Sequence, residues 1–107
     1  MSKLQLLRDV LATYERHGWR LRGVLLTTET RKEVGAGLLD YEIKESAVDA
    51  LWFSRPSHHN REAWELRLLA ETQYALFETF EAEETEERRA DVMLEMEARL
   101  REYANRD

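Results

Sequence analysis

The sequence predicts an α+β fold, with an antiparallel sheet of about four strands flanked by an N-terminal and a C-terminal helix. Three observations lead there. Apolar residues recur at helical spacing near both ends of the chain, three strand-like runs follow one another between Ala50 and Phe80, and the joins between those runs are too short for parallel crossovers. The 107 residues suit a single domain, 1–107, with one core.

Leu4, Leu7, Leu11 and Tyr14, widened by Leu6 and Val10, predict an amphipathic helix over 3–16. Gly18 supplies the left-handed residue that ends a helix, and Arg16 and His17 sit at the negative end of its dipole. A first strand is expected over 19–27, with Gly23 as a bulge. Thr27, Thr28 and Thr30 offer caps for a short helical turn over 29–34, and Thr30 with Glu33 fits a capping box, with Gly35 and Gly37 ending the turn. From Leu38 to Ala47 the expectation is irregular structure with a brief extended piece, in which Tyr41 and Ile43 alternate with Glu42 and Lys44.

Strands are expected at 49–55, 62–69 and 74–80. Pro56, Ser57, His58, His59 and Asn60 make the first join a hairpin, because Pro presets φ and Asn tolerates positive φ. From about Glu83 to Tyr103 helical spacing returns, in the stripe Met93, Met96, Leu100 and Tyr103 with Val92 and Ala90 beside it. Glu84 with Arg88, Glu95 with Arg99, Glu97 with Arg101 and Glu102 with Arg106 place the acid four residues before the base. Each such pair is worth roughly 0.2–0.5 kcal/mol on a helix.

Ala50 to Phe80 concentrates Trp52, Phe53, Trp64, Tyr74, Phe77 and Phe80, and it carries apolar side chains on both faces of its strands. A sheet with one face in water alternates apolar and polar residues, so both faces here need a cover. The terminal helices supply one face each, or they pack together and leave the other face to a symmetric partner or a ligand. Trp52 decides between these arrangements, because Leu51 and Phe53 point the opposite way from it.

Composition narrows the function. There is no cysteine, which removes disulfides, thiolate metal sites and cysteine nucleophiles. No signal-peptide pattern opens the chain and no apolar run approaches a membrane span, so a cytoplasmic protein without a membrane partner is expected. The net charge of −6 argues against nucleic acid as a partner. The acidity is concentrated from Glu81 onward, where ten acids face five Arg. Arg20, Arg22 and Arg67 leave room for a basic strand face, but Glu65 beside Arg67 makes cross-strand Arg–Glu pairing the simpler expectation. The order of helix, antiparallel strands and helix is similar to that of double-stranded RNA-binding domains and small ribonuclease toxins. The final helix here is acidic and the chain lacks their basic balance.

The polar candidates cluster at one hairpin. His58, His59 and Arg61, with Arg55 and Glu62 nearby, contain the residue types for general acid–base hydrolysis of a phosphodiester. Adjacent histidines on a turn cannot both aim at one metal, and no third ligand accompanies them at a recognisable spacing, so no metal or other cofactor is expected. Glu78 among aromatics has the composition of a tuned acid, but near a strand end it is expected to reach water or an Arg. With no catalytic motif, the expectation is a non-enzymatic interaction or self-association module, with a homo-oligomer or another protein as partner. Its interaction surface is expected at Trp52, Phe53, Tyr74 and Phe77. The alternatives are a small hydrolase or nuclease acting through His58, His59 and Arg61, or a ligand pocket near Trp52 and Trp64.

Overall fold

The computed structural model describes residues 2–35 and 41–106. Helix α1 spans Lys3–Arg16, strand β1 Arg20–Leu26, helix α2 Thr28–Val34, strand β2 Ile43–Glu45 and strand β3 Ala50–Pro56. Strand β4 spans Glu62–Leu68, strand β5 Ala75–Phe80 and helix α3 Glu86–Ala104, and a single 3-10 turn at His58–Asn60 joins β3 to β4. None of the described helices is long and apolar enough to cross a membrane.

The fold is α+β, with a five-stranded mixed sheet in the order β2-β1-β3-β4-β5. The expected sheet had about four strands, all antiparallel. The fifth is the brief extended piece at Ile43–Glu45, which runs parallel to β1 with Val24 beside Ile43 and Leu26 beside Glu45. Its orientation follows from the connection. The segment containing α2 carries the chain back to the start of the sheet, as a parallel neighbour requires. The remainder of the expected Leu38–Ala47 segment is described only from Tyr41 onward, and Gly37 lies outside the described residues.

Local chemistry sets most boundaries. Ser2 caps α1 by accepting from the Gln5 amide, and Gly18 follows the helix at φ 85°. Gly23 lies at a register shift in the β1–β3 pairing, and a Cβ there would stand 3.7 Å from the Trp52 ring. The cap of α2 is Thr27, whose side chain accepts from the Thr30 amide, rather than a box built on Thr30 and Glu33. Glu33 instead accepts from the Lys3 amide at 2.7 Å, tying α2 to the start of α1. Thr85 caps α3, so the acids Glu86 and Glu87 lie in its first turn.

Each face of the sheet has its own helix. Leu7 and Val10 of α1 pack with Val24, Leu26, Leu51 and Phe53, and Val34 of α2 joins them. Met96 and Leu100 of α3 pack on the other face with Leu25, Ala50, Trp52, Leu66 and Leu76. Trp52 is 4% exposed. Its indole N–H donates to Glu97 Oε2 at 3.0 Å, so the ring is both buried and fixed in orientation. Glu97 also lies 3.7 Å from Lys44, and its expected Arg101 partner is not used. Of the four acid–base pairs expected along the C-terminal segment, Glu84–Arg88 closes at 3.2 Å, with Glu84 just ahead of the Thr85 cap.

The buried stripe of α3 predicts a contrast that equilibrium urea unfolding can measure. Leu100→Ala, which empties a fully buried site, is expected to cost about 2–5 kcal/mol. Leu94→Ala, at a side chain 60% exposed on the same helix, is expected to stay within about 0.5 kcal/mol of the parent.

Candidate interaction surface

The two helices do not cover the same strands. The α1 cluster is built on β1 and β3, whereas the α3 cluster extends over β4 and β5. On the α1 side of the sheet, α1 therefore reaches β4 only at its margin, through Tyr14 to Glu65, and β5 has no helix above it. Strand parity places Ala63, Glu65 and Arg67 of β4 and Ala75, Phe77 and Thr79 of β5 on this side, because Phe53 lies opposite Glu65 and Glu65 opposite Phe77. Phe77 is 58% exposed. Trp19 meets it edge-on at 6.4 Å between centroids, and Arg55 lies over Trp19 at 4.6 Å, so the aromatic patch continues to the end of α1.

Glu65 closes the inner margin of this surface. The Tyr14 hydroxyl of α1 donates to its carboxylate, and the Tyr14 ring stacks on Phe53 at 4.1 Å. Burial, then the hydrogen bond to Glu65 and that carboxylate's charge, raise the Tyr14 phenol well above the ordinary tyrosine range. Beyond this contact a shallow groove of about 230 Å³ runs between α1 and the sheet, lined by Leu6, Val10, Tyr14 and Arg67 among others.

The outer edge of β5 completes the surface. Leu68 N–H donates to Tyr74 C=O at 2.9 Å, so the even-numbered positions of the strand turn their backbone groups toward β4. The antiparallel alternation then turns the N–H and C=O groups of Ala75, Phe77 and Thr79 outward. Among the described residues no strand pairs with that edge. The Thr79 N–H reaches the side chain of its own neighbour, Glu78, at 3.3 Å. Glu78 is exposed, as its position near a strand end led one to expect.

Of the four aromatic residues expected on an interaction surface, Trp52 and Phe53 lie inside, beneath α3 and α1, and Tyr74 stacks on Tyr103 at 3.5 Å. Phe77 is the one left open. Sequence reasoning grouped it with the others because parity separates the two faces without saying how far each helix reaches. The edge position of β5 had a weak sequence signal, in that no further strand-like run follows Phe80.

Of the polar hairpin residues, Arg55 and His58 line one open cleft of about 470 Å³ together with His17 and Phe77, whereas His59 and Arg61 do not line it. His58 and His59 are exposed on the 3-10 turn, with His59 and Asn60 at φ 59° and 62°, so their placement answers the geometry of the turn. Arg61 pairs with Glu81 at 2.8 Å, and Arg55 donates to the His17 carbonyl at 3.1 Å. No group of three or more potential metal ligands gathers among the described residues. The alternative of a basic strand face does not assemble, because Arg22 lies 5.0 Å from the Trp64 ring on the α3 side while Arg67 is on the α1 side.

Two other cavities have structural explanations. The space near Trp52 is about 270 Å³ and is lined by Arg22, Glu42, Lys44, Met93 and Glu97, while Trp64 meets Trp52 edge-on at 6.0 Å. It is smaller than the usual range for small-molecule sites, roughly 300–1,000 Å³. A larger cleft of about 520 Å³ includes Lys3 and Asp49. Asp49 accepts from the Thr27 amide at 2.8 Å and the Thr30 hydroxyl at 2.6 Å, and it lies 3.3 Å from Lys3 Nζ. That carboxylate is committed to holding the β1–α2 turn against α1.

The Tyr14–Glu65 contact predicts an alkaline effect on stability. A phenol whose folded pKa is raised contributes stability that is present below about pH 10, the unfolded value, and is lost as pH rises through the folded value. Unfolding followed from pH 8 to pH 12 is expected to show this loss as a steeper alkaline decline than in Tyr14→Phe, and equal slopes would refute the assignment.

Comparison of the chain with protein-family models, curated proteins and solved structures finds no match.

Proposed function

We propose that the chain is a non-enzymatic interaction module that takes up an extended polypeptide strand along β5, with Phe77 as the apolar anchor. The observation that supports this reading most directly is the coincidence of two features on one strand. The backbone groups of Ala75, Phe77 and Thr79 point outward, and the middle residue of the three is a largely exposed Phe. An added strand would draw affinity from main-chain hydrogen bonds and specificity from alternate side chains.

The other edge of the sheet provides the contrast. β2 is only Ile43–Glu45 and carries two charges, Lys44 and Glu45, as short protected edges commonly do. β5 is twice as long, contains neither Lys nor Pro, and has Glu78 as its one charge. A strand so exposed is an aggregation hazard unless pairing is part of its role. Both faces of the central sheet are already packed by the chain's own helices, so the interaction is assigned to the edge and its adjoining face.

Selection of short linear peptides on the wild-type chain tests the reading, with Phe77→Lys as the comparison. Peptides with alternating apolar residues are expected to bind wild type at least about tenfold more tightly, equivalent to ~1.4 kcal/mol. Failure to select any peptide, or equal binding to both chains, would remove strand capture as the function.

A further inference from the structure

The strand-capture reading leaves the identity of the strand open; resting on that reading, we propose that its occupant is β5 of a second copy. The two strands pair antiparallel about a two-fold axis at Phe77, and the two five-stranded sheets become one sheet of ten. The outward backbone groups of Ala75, Phe77 and Thr79 are placed symmetrically about Phe77. Setting Phe77 against its equivalent therefore sets Ala75 against the second copy's Thr79, and all three positions enter the new ladder.

Charge selects this register over its neighbours. With Phe77 on the axis, Glu78 faces Leu76 of the second copy. A shift that centres the axis on Glu78 puts two carboxylates directly opposite one another, which destabilises a strand pair. The opposite shift pairs Thr79 with Gln73, a residue outside the strand, and leaves the ladder incomplete. In the chosen register each Phe77 lies beside its counterpart, with Trp19 edge-on at 6.4 Å on the far side, so the aromatic patch becomes continuous across the axis.

The pairing of short strands buries less than the roughly 800 Å² per partner of a standard interface, so the dimer is expected to form reversibly and to require micromolar chain. Each copy carries a net charge of −6. Added salt screens the repulsion between copies and is expected to strengthen the dimer.

Sedimentation of the full chain from about 1 to 200 µM, the range suited to a small interface, reads the association directly. Wild type is expected to shift from monomer to dimer mass, whereas Phe77→Lys and Thr79→Pro remain monomeric with unchanged circular dichroism. The second variant removes an outward N–H, whose contact within the chain is the exposed side chain of Glu78, and guards against misfolding of the first. The register is tested by disulfide trapping, made clean by the absence of native cysteine. Opposed Cα atoms at such a ladder pair are about 5.5 Å apart, within disulfide reach. An equimolar mixture of Ala75→Cys and Thr79→Cys chains is expected to form a covalent dimer under mild oxidation, and neither alone. A monomeric wild type at every concentration overturns the second-copy proposal, as does a dimer whose mixed cysteine variants fail to cross-link. Peptides that still discriminate Phe77→Lys in the first case would leave strand capture itself standing.

Discussion

The placement of both terminal helices follows from the burial of β3 on its two faces. Ala50 to Ser54 are five successive buried residues in the middle of the sheet, with Leu51 and Phe53 turned to α1 and Ala50 and Trp52 turned to α3. A central strand of this composition is stable only when apolar material lies above and below it. The chain meets the requirement with helices from its two ends. The bond from Trp52 to Glu97 and the stack of Tyr14 on Phe53 then fix how each helix sits. Polar groups drawn into these layers keep their partners, since among the described residues no buried side-chain nitrogen or oxygen is left without a hydrogen bond.

The two helices share the work unequally. α1, reinforced by α2, covers the β1–β3 side of its face, and α3 covers the β3–β5 side of the other. Two openings result, diagonally opposed across the sheet. The one beside α3 sets the charged side chains of Arg22, Glu42, Lys44 and Glu97 around Trp52 and Met93. The one beside α1 contains Phe77 and borders an edge strand that no other strand pairs with among the described residues. The difference in side-chain chemistry between these openings is what directs the functional reading to β5.

Much of the secondary structure was legible because its signals are local. The apolar spacing of α1, the glycine beyond it, the bulge at Gly23 and the hairpin after Pro56 each rest on the conformational limits of a few neighbouring residues. β2 was legible only as a brief extended piece. A three-residue strand has too little periodicity to announce itself, and its parallel partner is distant in sequence. The ion pairs expected along α3 were a weaker guide for a related reason. Helical spacing brings Glu97 within reach of Arg101, but it carries no information about the Trp52 N–H and Lys44 that compete for the same carboxylate.

That the fold is α+β and that the strands between Ala50 and Phe80 have two apolar faces can be read from the residues alone, because both properties follow from periods of a few residues. Trp52 and Phe53 were bound to lie on opposite sides for the same reason. The three-dimensional arrangement adds that a different helix covers each side, that the cover stops short of Phe77, and that β5 stands at the edge of the sheet. Those outcomes depend on where elements far apart in the chain come to rest, and alternation along a strand distinguishes its two sides without recording what lies beyond either of them.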